Sequence, residues 1–526
     1  MKHAIIRPLS PGDEEYLRDE SKRTGHAESI AFPETEAQII EILRETSRAG
    51  TPVTIQGSRT GLAAAAVPLG GLVLNLSRMD KVTGLRQENG RFFLTVQPGV
   101  ILQKLNKAIA ARAFDSTSWT EAARTAYQAF TKAPVQMFTP DPTETTASIG
   151  GMAACNASGA RSYRYGPTRS HITAIRGVLA DGQTFSLRRG QVFAQKRTIA
   201  LETEQGGVIH ADLPTYEMPH CKNASGYFIH DGMDALDLFI GSDGTLAVLT
   251  ELELSLLPLP VLMWGVTAFF QTQEQAVAYT RLVRTLSDRI ASIEYFDSFA
   301  LQILRRQKAE NTAFSGLPYL PSEYGCAVYT ELHCSREDEA YTLLEGLSDC
   351  CTRSGGDPDH TWVAANDSDR DLLYFFRHAV PESVNMQVER YKHDYPEITK
   401  VGGDLAVPDE AFAALLQLYD ETLSAEGLEH AAWGHIGDNH IHVNILPHTA
   451  EQYHRGKALL ARWAAEAASL GGAVSAEHGV GKLKAPFLEV MYGMEHIQEM
   501  AALKRAFDPN GLLGRGNLFS QEVAAR

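Results

Sequence analysis

Apolar positions recur along this chain with two different spacings. Near the N-terminus, Ile39, Ile40 and Leu43 fall on one helical face, with Thr35 as N-cap and Gly50 as terminator, so residues 33–50 read as a helix. Pro52-Val-Thr-Ile then reads as a buried strand running into the polar loop Gln56-Gly57-Ser58-Arg59-Thr60-Gly61-Leu62. Strands are predicted at 71–76 and 91–96, and an amphipathic helix over 102–113. Residues 140–167 are rich in loop formers, including Ser148-Ile-Gly150-Gly151-Met and Asn156-Ala-Ser-Gly. A tight turn at 240–246 contains Gly241 and Gly244, and an alternating strand over 247–256 follows. Pro258 and Pro260 mark a boundary, giving predicted domains 1–259 and 260–526. Beyond it, strands at 261–270 and 326–334 alternate with helices at 274–286 and 337–354, the pattern of an α+β domain on an antiparallel sheet. Segments 117–132 and 188–231 read as insertions in the first domain.

The most informative polar pattern lies late in the chain, in Trp433-Gly-His435-Ile-Gly-Asp438-Asn439-His440-Ile-His442-Val-Asn444 and in Ser475-Ala-Glu477-His478-Gly-Val-Gly-Lys482. With Asp438-Asn439 as a two-residue turn, the first segment is a hairpin in which His435 faces His442. Opposed side chains on one sheet face have Cβ atoms about 5 Å apart, which lets two imidazoles share one metal ion. Glu477, from a distant loop, completes a three-ligand site with an open position. Choosing between His440 and His442 calls for the register, and His440 is expected outside the ligand set.

Composition narrows the function classes. The chain has 526 residues, 44% apolar and 21% charged, which implies a folded protein of two or more domains. Its 48 Lys and Arg against 64 Asp and Glu argue against a nucleic-acid partner. No stretch is apolar enough to span a bilayer, and the N-terminus lacks the apolar core of a signal peptide. None of the six cysteines forms a CxxC pair, so a reducing cytoplasm with free thiols is expected, with a peripheral contact to the inner face of the membrane left open.

Loops 56–62, 148–151 and 241–245 each combine glycine with Ser or Thr, and together they point to one phosphate-bearing ligand. None is the GxGxxG of a dinucleotide fold or the GxxxxGK of a phosphate-binding NTPase. Val53-Thr-Ile-Gln-Gly-Ser-Arg-Thr-Gly-Leu, Ala147-Ser-Ile-Gly-Gly-Met, Arg164-Tyr-Gly-Pro, Gly241-Ser-Asp-Gly-Thr-Leu, Gly434-His-Ile-Gly-Asp, Glu477-His-Gly-Val-Gly-Lys and Phe507-Asp-Pro-Asn-Gly occur in that order. As an ordered set, running from about residue 28 to about 520, they resemble the FAD-linked 2-hydroxy-acid dehydrogenases of the vanillyl-alcohol-oxidase (PCMH-type) superfamily. The resemblance implies an α+β fold: a two-lobed FAD domain over 1–259, then an antiparallel-sheet substrate domain over 260–526 whose last ~50 residues return toward the first.

The same resemblance implies a set of site residues. Gln56, Gly57, Ser58, Arg59, Thr60, Gly61 and Leu62 form the first pyrophosphate loop, Ser148, Gly150, Gly151 and Asn156 the second, and Gly241, Gly244 and Val248 flank the flavin. His435, His442 and Glu477 match divalent-metal ligands, with zinc the first candidate and manganese or iron the others. His478 matches the base, Asn444 a substrate contact and Arg377 the holder of the substrate carboxylate. Lys400, four residues before Asp404 where the family's lysine stands two before, is carried as the substrate lysine. The chain departs further at Ser58 and Arg59 and at Ala63 to Ala66, where glycines are usual, and at Asp243, where Glu is commoner. FAD is expected to be noncovalent, since no histidine or cysteine attachment site is evident in these loops. The implied activity is oxidation of a D-2-hydroxy acid, with electrons leaving to a quinone, an electron-transfer flavoprotein or a separate subunit, and a homodimer is left open. Two alternatives stand beside it: a metal-independent flavin oxidase of an alcohol or phenol, and a non-catalytic FAD subunit of an electron-transfer complex.

Overall fold

The computed structural model describes residues 6–524; the first five residues of the N-terminal stretch considered above for a signal peptide lie outside them. Helix Glu36–Ala49 begins where Thr35 Oγ1 accepts from the Gln38 N–H at 3.3 Å and ends at Gly50, whose φ of 66° is left-handed. Its apolar face (Ile39, Ile42, Leu43) packs on a small sheet ordered Ile6–Pro8, Ser29–Ala31, Leu72–Asn75, Val53–Gln56, whose last three strands run parallel. A second lobe is an antiparallel sheet of five strands ordered Val82–Glu88, Arg91–Val96, Val248–Ser255, Ile172–Val178, Thr184–Arg188. The two segments read as insertions contribute helix Glu121–Lys132, which buries Phe130, and the ribbon Thr198–Glu202 with Val208–Asp212.

The second half is built on one antiparallel sheet. Its order is Trp362–Ala364, Leu262–Phe270, Cys326–Cys334, Ile290–Phe296, His430–Gly434, His440–Ile445, Val401–Gly402, with Leu405–Ala406 also paired to His440–Ile445. Helices Ser298–Glu310 and Asp367–Lys392 cover one face through a core of Phe296, Leu301, Leu304, Val380 and Val384. The architecture is therefore α+β, as expected from the sequence. No helix among the described residues is long and apolar enough to cross a membrane.

The chain then returns to its beginning. The Val53 N–H donates to Leu512 O at 2.8 Å, and the Gly514 N–H donates to Val53 O at 3.0 Å. Lys504 fixes this return: its buried ammonium donates to Thr245 O and Leu513 O at 2.8 Å and to Asp508 Oδ2 at 2.7 Å. Asp508 in turn accepts the N–H groups of Leu512 and Leu513. Lys504→Met removes one partner of a buried pair and leaves the carboxylate without its cation and two carbonyls without this donor, so it should lower stability by about 3–5 kcal/mol. The denaturant midpoint reads this; a variant that unfolds with the wild type would contradict the role given to Lys504.

Candidate functional site

A cavity of 270 Å³ lies between the two lobes and the C-terminal segment. The loop Gln56–Leu62, Ser148, Gly150, Gly151 and Gly244 line it, together with Glu477 and His478 from the other half of the chain. Ser148 to Gly151 are not an open loop. They begin helix Ile149–Cys155, and Ser148 Oγ accepts the Gly151 N–H at 3.3 Å. The two glycine segments nearly touch: a Cβ on Gly57 would sit 2.1 Å from Ser148 Oγ. Three residues expected at the cofactor stand behind the wall. Asn156 caps the helix C-terminus, with its Oδ1 accepting the Arg169 N–H at 3.0 Å. Gly241 forms the turn behind Gly244, and Val248 points away because its neighbours Ala247 and Leu249 take the cavity side of the alternating strand. The Gln56 amide donates to Tyr16 O and Ala66 O at 2.7 Å, so its side chain closes the loop it begins.

The departures from glycine are accommodated with strain. Arg59 and Ala64 hold left-handed φ values of 61° and 60°. Arg59 is secured by Glu15 at 2.6 Å and lies 4.3 Å over the Tyr16 ring. Among the described residues it is the one lysine or arginine on the cavity wall.

At the Glu477 end of the cavity, the histidines converge by a route different from the one predicted. The hairpin pairs Trp433 with His442 rather than His435 with His442. Residues 435–439 form the turn, with a single 3-10 turn at Ile436–Asp438 and a left-handed Asn439 at φ 53°. The shift is two residues, so the side-chain faces are preserved. His435 leaves the ladder, yet its ring centroid lies 5.6 Å from that of His442. His440 and His442 share one face, being two residues apart on one strand, so the register does not separate them. The His440 ring is 4.3 Å from His442, and its Nε2 lies 3.0 Å from Asp404 Oδ1.

Glu477 closes the cluster. Its Oε1 is 3.1 Å from His435 Nε2, and its Oε2 is 3.4 Å from His442 Nε2. One ligand atom from each of His435, His440, His442 and Glu477 falls within 4.8 Å of the others. Burial pushes His435 down, but Glu294 and Glu477 outweigh it and carry the imidazole up to about 10. Glu294 takes one ring nitrogen of His435 and Glu477 faces the other, and a donor set of imidazoles and a carboxylate suits a divalent ion.

Several partners were not visible in sequence. Glu294, on the neighbouring strand, holds His435 Nδ1 at 2.8 Å and also meets Arg377 Nη2 at 3.4 Å. Arg377 is thus a largely buried arginine, lying 5.2 Å from the Tyr329 ring centroid, rather than a surface ion pair. Lys222 reaches Glu477 Oε1 at 2.5 Å, and Ser158 Oγ donates to the same oxygen at 3.1 Å. Asp404 has no exposed side-chain surface. It accepts the N–H groups of Glu477 (3.2 Å) and His478 (3.1 Å), Ser475 Oγ (2.9 Å) and Lys484 Nζ (2.5 Å), and lies 3.3 Å from His478 Nδ1. Burial pushes the Asp404 carboxyl up, and His478, Lys484 and His440 more than reverse it. Burial takes His478 down to about 4, and its ring stacks on His442 at 5.4 Å.

Asn444 is buried on the same face as His442, with Nδ2 donating to His442 O at 3.1 Å. Lys400 precedes the short strand Val401–Gly402, where Gly402 opposes Asn444, so strand parity places it on that face too. Burial and then the nearby Lys22 push its ammonium down, and no carboxylate pairs with it among the described residues.

Comparison with known proteins bears on the two halves of the chain. Residues 27–123 and 125–188 match a family described as FAD binding domain, and residues 265–518 match FAD linked oxidases, C-terminal domain. The chain is 26% identical over 512 residues to the glycolate oxidase subunit GlcD of Bacillus subtilis, covering 95% of this chain and 90% of that one. It is 24% identical over 524 residues to D-lactate dehydrogenase of Anaerostipes hadrus (96% and 93% covered). It is 26% identical over 521 residues to D-2-hydroxyglutarate dehydrogenase of Stutzerimonas stutzeri (96% and 94% covered). Among solved structures, p-cresol methylhydroxylase with substrate bound superposes with a TM-score of 0.67 at 13% identity, covering 98% of this chain and 94% of that one. A 4-ethylphenol oxidase from Gulosibacter chungangensis gives 0.63 at 16%, covering 99% and 95%. At those identities the structural likeness establishes the fold alone. The two matched domains span most of the chain in the expected order, and most of the glycine-lined cavity wall comes from the first of them: the protein belongs to the FAD-linked oxidase and dehydrogenase family.

Proposed function

We propose that the chain is a metal-assisted dehydrogenase that oxidises a D-2-hydroxy acid to the 2-oxo acid and passes electrons to an external carrier. The observation that carries this reading is that Glu477, which faces His435 and His442, also lines the cavity formed by the FAD-domain loops. The named substrates of the relatives, D-lactate, glycolate and 2-hydroxyglutarate, share one feature, a hydroxyl next to a carboxylate. A three-ligand site beside a buried arginine suits that pair of groups. On the same reading the boundary near residue 259 divides a cofactor-binding half from a substrate-binding half.

When bound, FAD would accept the hydride, and a divalent ion, zinc first, would supply Lewis acidity. His435, His442 and Glu477 would hold the ion, and loop 56–62 with Ser148, Gly150 and Gly151 would hold the pyrophosphate. Arg59 would offset part of its charge. The protein's own groups do the rest. Arg377 presents its planar fork to the substrate carboxylate, which a point charge would orient less well. Asn444 and Lys400 stand on the His442 face to meet the remainder of the substrate. His478, kept neutral by burial and oriented by Asp404, takes the hydroxyl proton on its other ring nitrogen. Gly481 lets this loop close: a Cβ there would lie 2.2 Å from Ala63 O. The closure shields the reacting groups from water.

His435→Ala should remove bound metal and abolish turnover while leaving the flavin spectrum in place; elemental analysis and visible absorbance check both halves. Full turnover in a metal-free variant would refute the metal-assisted reading. Arg377→Met should raise KM for small 2-hydroxy acids by about ten- to a hundredfold, the worth of a charged hydrogen bond. An unchanged KM would move carboxylate binding elsewhere. Arg59→Ala should weaken FAD retention by about tenfold, as expected for one charge-assisted contact, and dialysis followed by flavin absorbance reads it.

A further inference from the structure

Lys222 lies between two carboxylates that differ in how well they are served. On one side is Glu477, whose Oε1 already takes Ser158 Oγ and faces His435 Nε2, and whose distance to Lys222 Nζ is 2.5 Å. On the other is Asp438, on the short turn that carries His435, with Oδ2 3.6 Å from the same ammonium. That Asp438 oxygen is buried and has no hydrogen-bond partner. A buried carboxylate oxygen left unmatched is costly, and structures seldom tolerate one without a reason. Lys222 itself is 9% exposed, so its ammonium has no ready escape to solvent.

Resting on the metal reading above, we propose that Lys222 is the resident counter-ion of the metal site: it holds Glu477 while the site is empty and passes to Asp438 when an ion takes Glu477. Two cations compete for the same carboxylate oxygen, and their mutual repulsion at such range is strong in a buried setting. Asp438 Oδ2 is the vacant seat that relieves it. The transfer keeps Glu477 paired in both states, with Lys222 in one and the ion in the other, and gives Asp438 its partner when the ion is bound. It also accounts for the orphaned Asp438 oxygen beside the cluster. Lys222 is a positioning residue in this account, and it acts on the ion through Glu477.

The test is calorimetric titration of chelator-stripped, flavin-loaded protein with zinc and with manganese. Lys222→Met removes the competitor and should tighten the ion by about tenfold, within the range seen for groups that hold metal ligands. Asp438→Asn removes the alternative seat and should weaken it by about tenfold. In the double variant the Asp438 effect should vanish, because no ammonium remains to be reseated. A merely structural lysine would instead weaken binding when removed, and would leave the Asp438 effect unchanged. Weaker or equal affinity in Lys222→Met, or an Asp438 effect that persists in the double variant, overturns the proposal. Should Lys222→Met fail to fold, Asp438→Asn alone decides, and unaltered affinity there overturns it. Wild-type protein that binds neither ion overturns the metal reading itself, and this proposal with it.

Discussion

Asp404 sits where an edge of the C-terminal sheet meets the loop 475–484, and its carboxylate gathers groups from both. Two backbone N–H groups, a hydroxyl, an ammonium and two imidazoles converge on it within 3.3 Å. An ionised carboxylate in such a place is tolerated only when its lone pairs are filled, and here they are. The same contacts decide where Glu477 and His478 stand, since both are suspended from Asp404 by their own backbone. Asp243 supports the loop from the opposite side, accepting Val480 N–H at 3.1 Å and Gly481 N–H at 2.7 Å. One loop is thus fastened at two points, to the second half by Asp404 and to the FAD domain by Asp243. The histidine–glutamate cluster and the cavity owe their mutual distance to that double attachment.

Around this loop the charged groups form a connected series. His435 leans on Glu294, Glu294 on Arg377, and Arg377 lies beside the Tyr329 ring. Tyr329 and His333 both contact Glu331, which also binds Arg161 at 2.7 Å. Each carboxylate in the series has a cationic neighbour, so the low-dielectric interior carries the charges in pairs. Displacing one member would leave its neighbour unmatched, which makes the series rigid as well as polar.

Sequence patterning revealed the regular elements where both ends were marked. Strand Cys326–Cys334 matches the predicted span, and helix Glu36–Ala49 lies between the expected Thr35 cap and Gly50 stop. Helix Phe412–Glu426 has a clear stripe at Phe412, Leu415, Leu416, Tyr419 and Leu423 that could have been read. Ala485–Phe507 is harder, because Gly493 breaks it at φ 78°. In the hairpin, Asp438-Asn439 suggested a two-residue turn, whereas Gly434 at φ 134° and Asn439 at φ 53° support a longer one. The rings of His435 and His442 still come together, because a two-residue shift leaves every side chain on its face. Glu294, Lys222 and Asp404 were not legible at all. They lie in separate segments without motif spacing, and only the sheet order and loop closure bring them to the histidines.

The return of the chain's end to strand Val53–Gln56 has a consequence for assembly. Both backbone groups of Val53 are satisfied by residues 512 and 514, near the far terminus. During synthesis the lobe that holds Val53 therefore waits, with a strand edge unpaired beside its first glycine loop, until the distant segment with Leu512 and Gly514 has been made. A contact closed across so long a separation forms late and slowly. The nucleotide-binding lobe, although first in the sequence, is among the last parts of the molecule to be finished, and a chain stopped short of Leu512 would expose that edge to its neighbours.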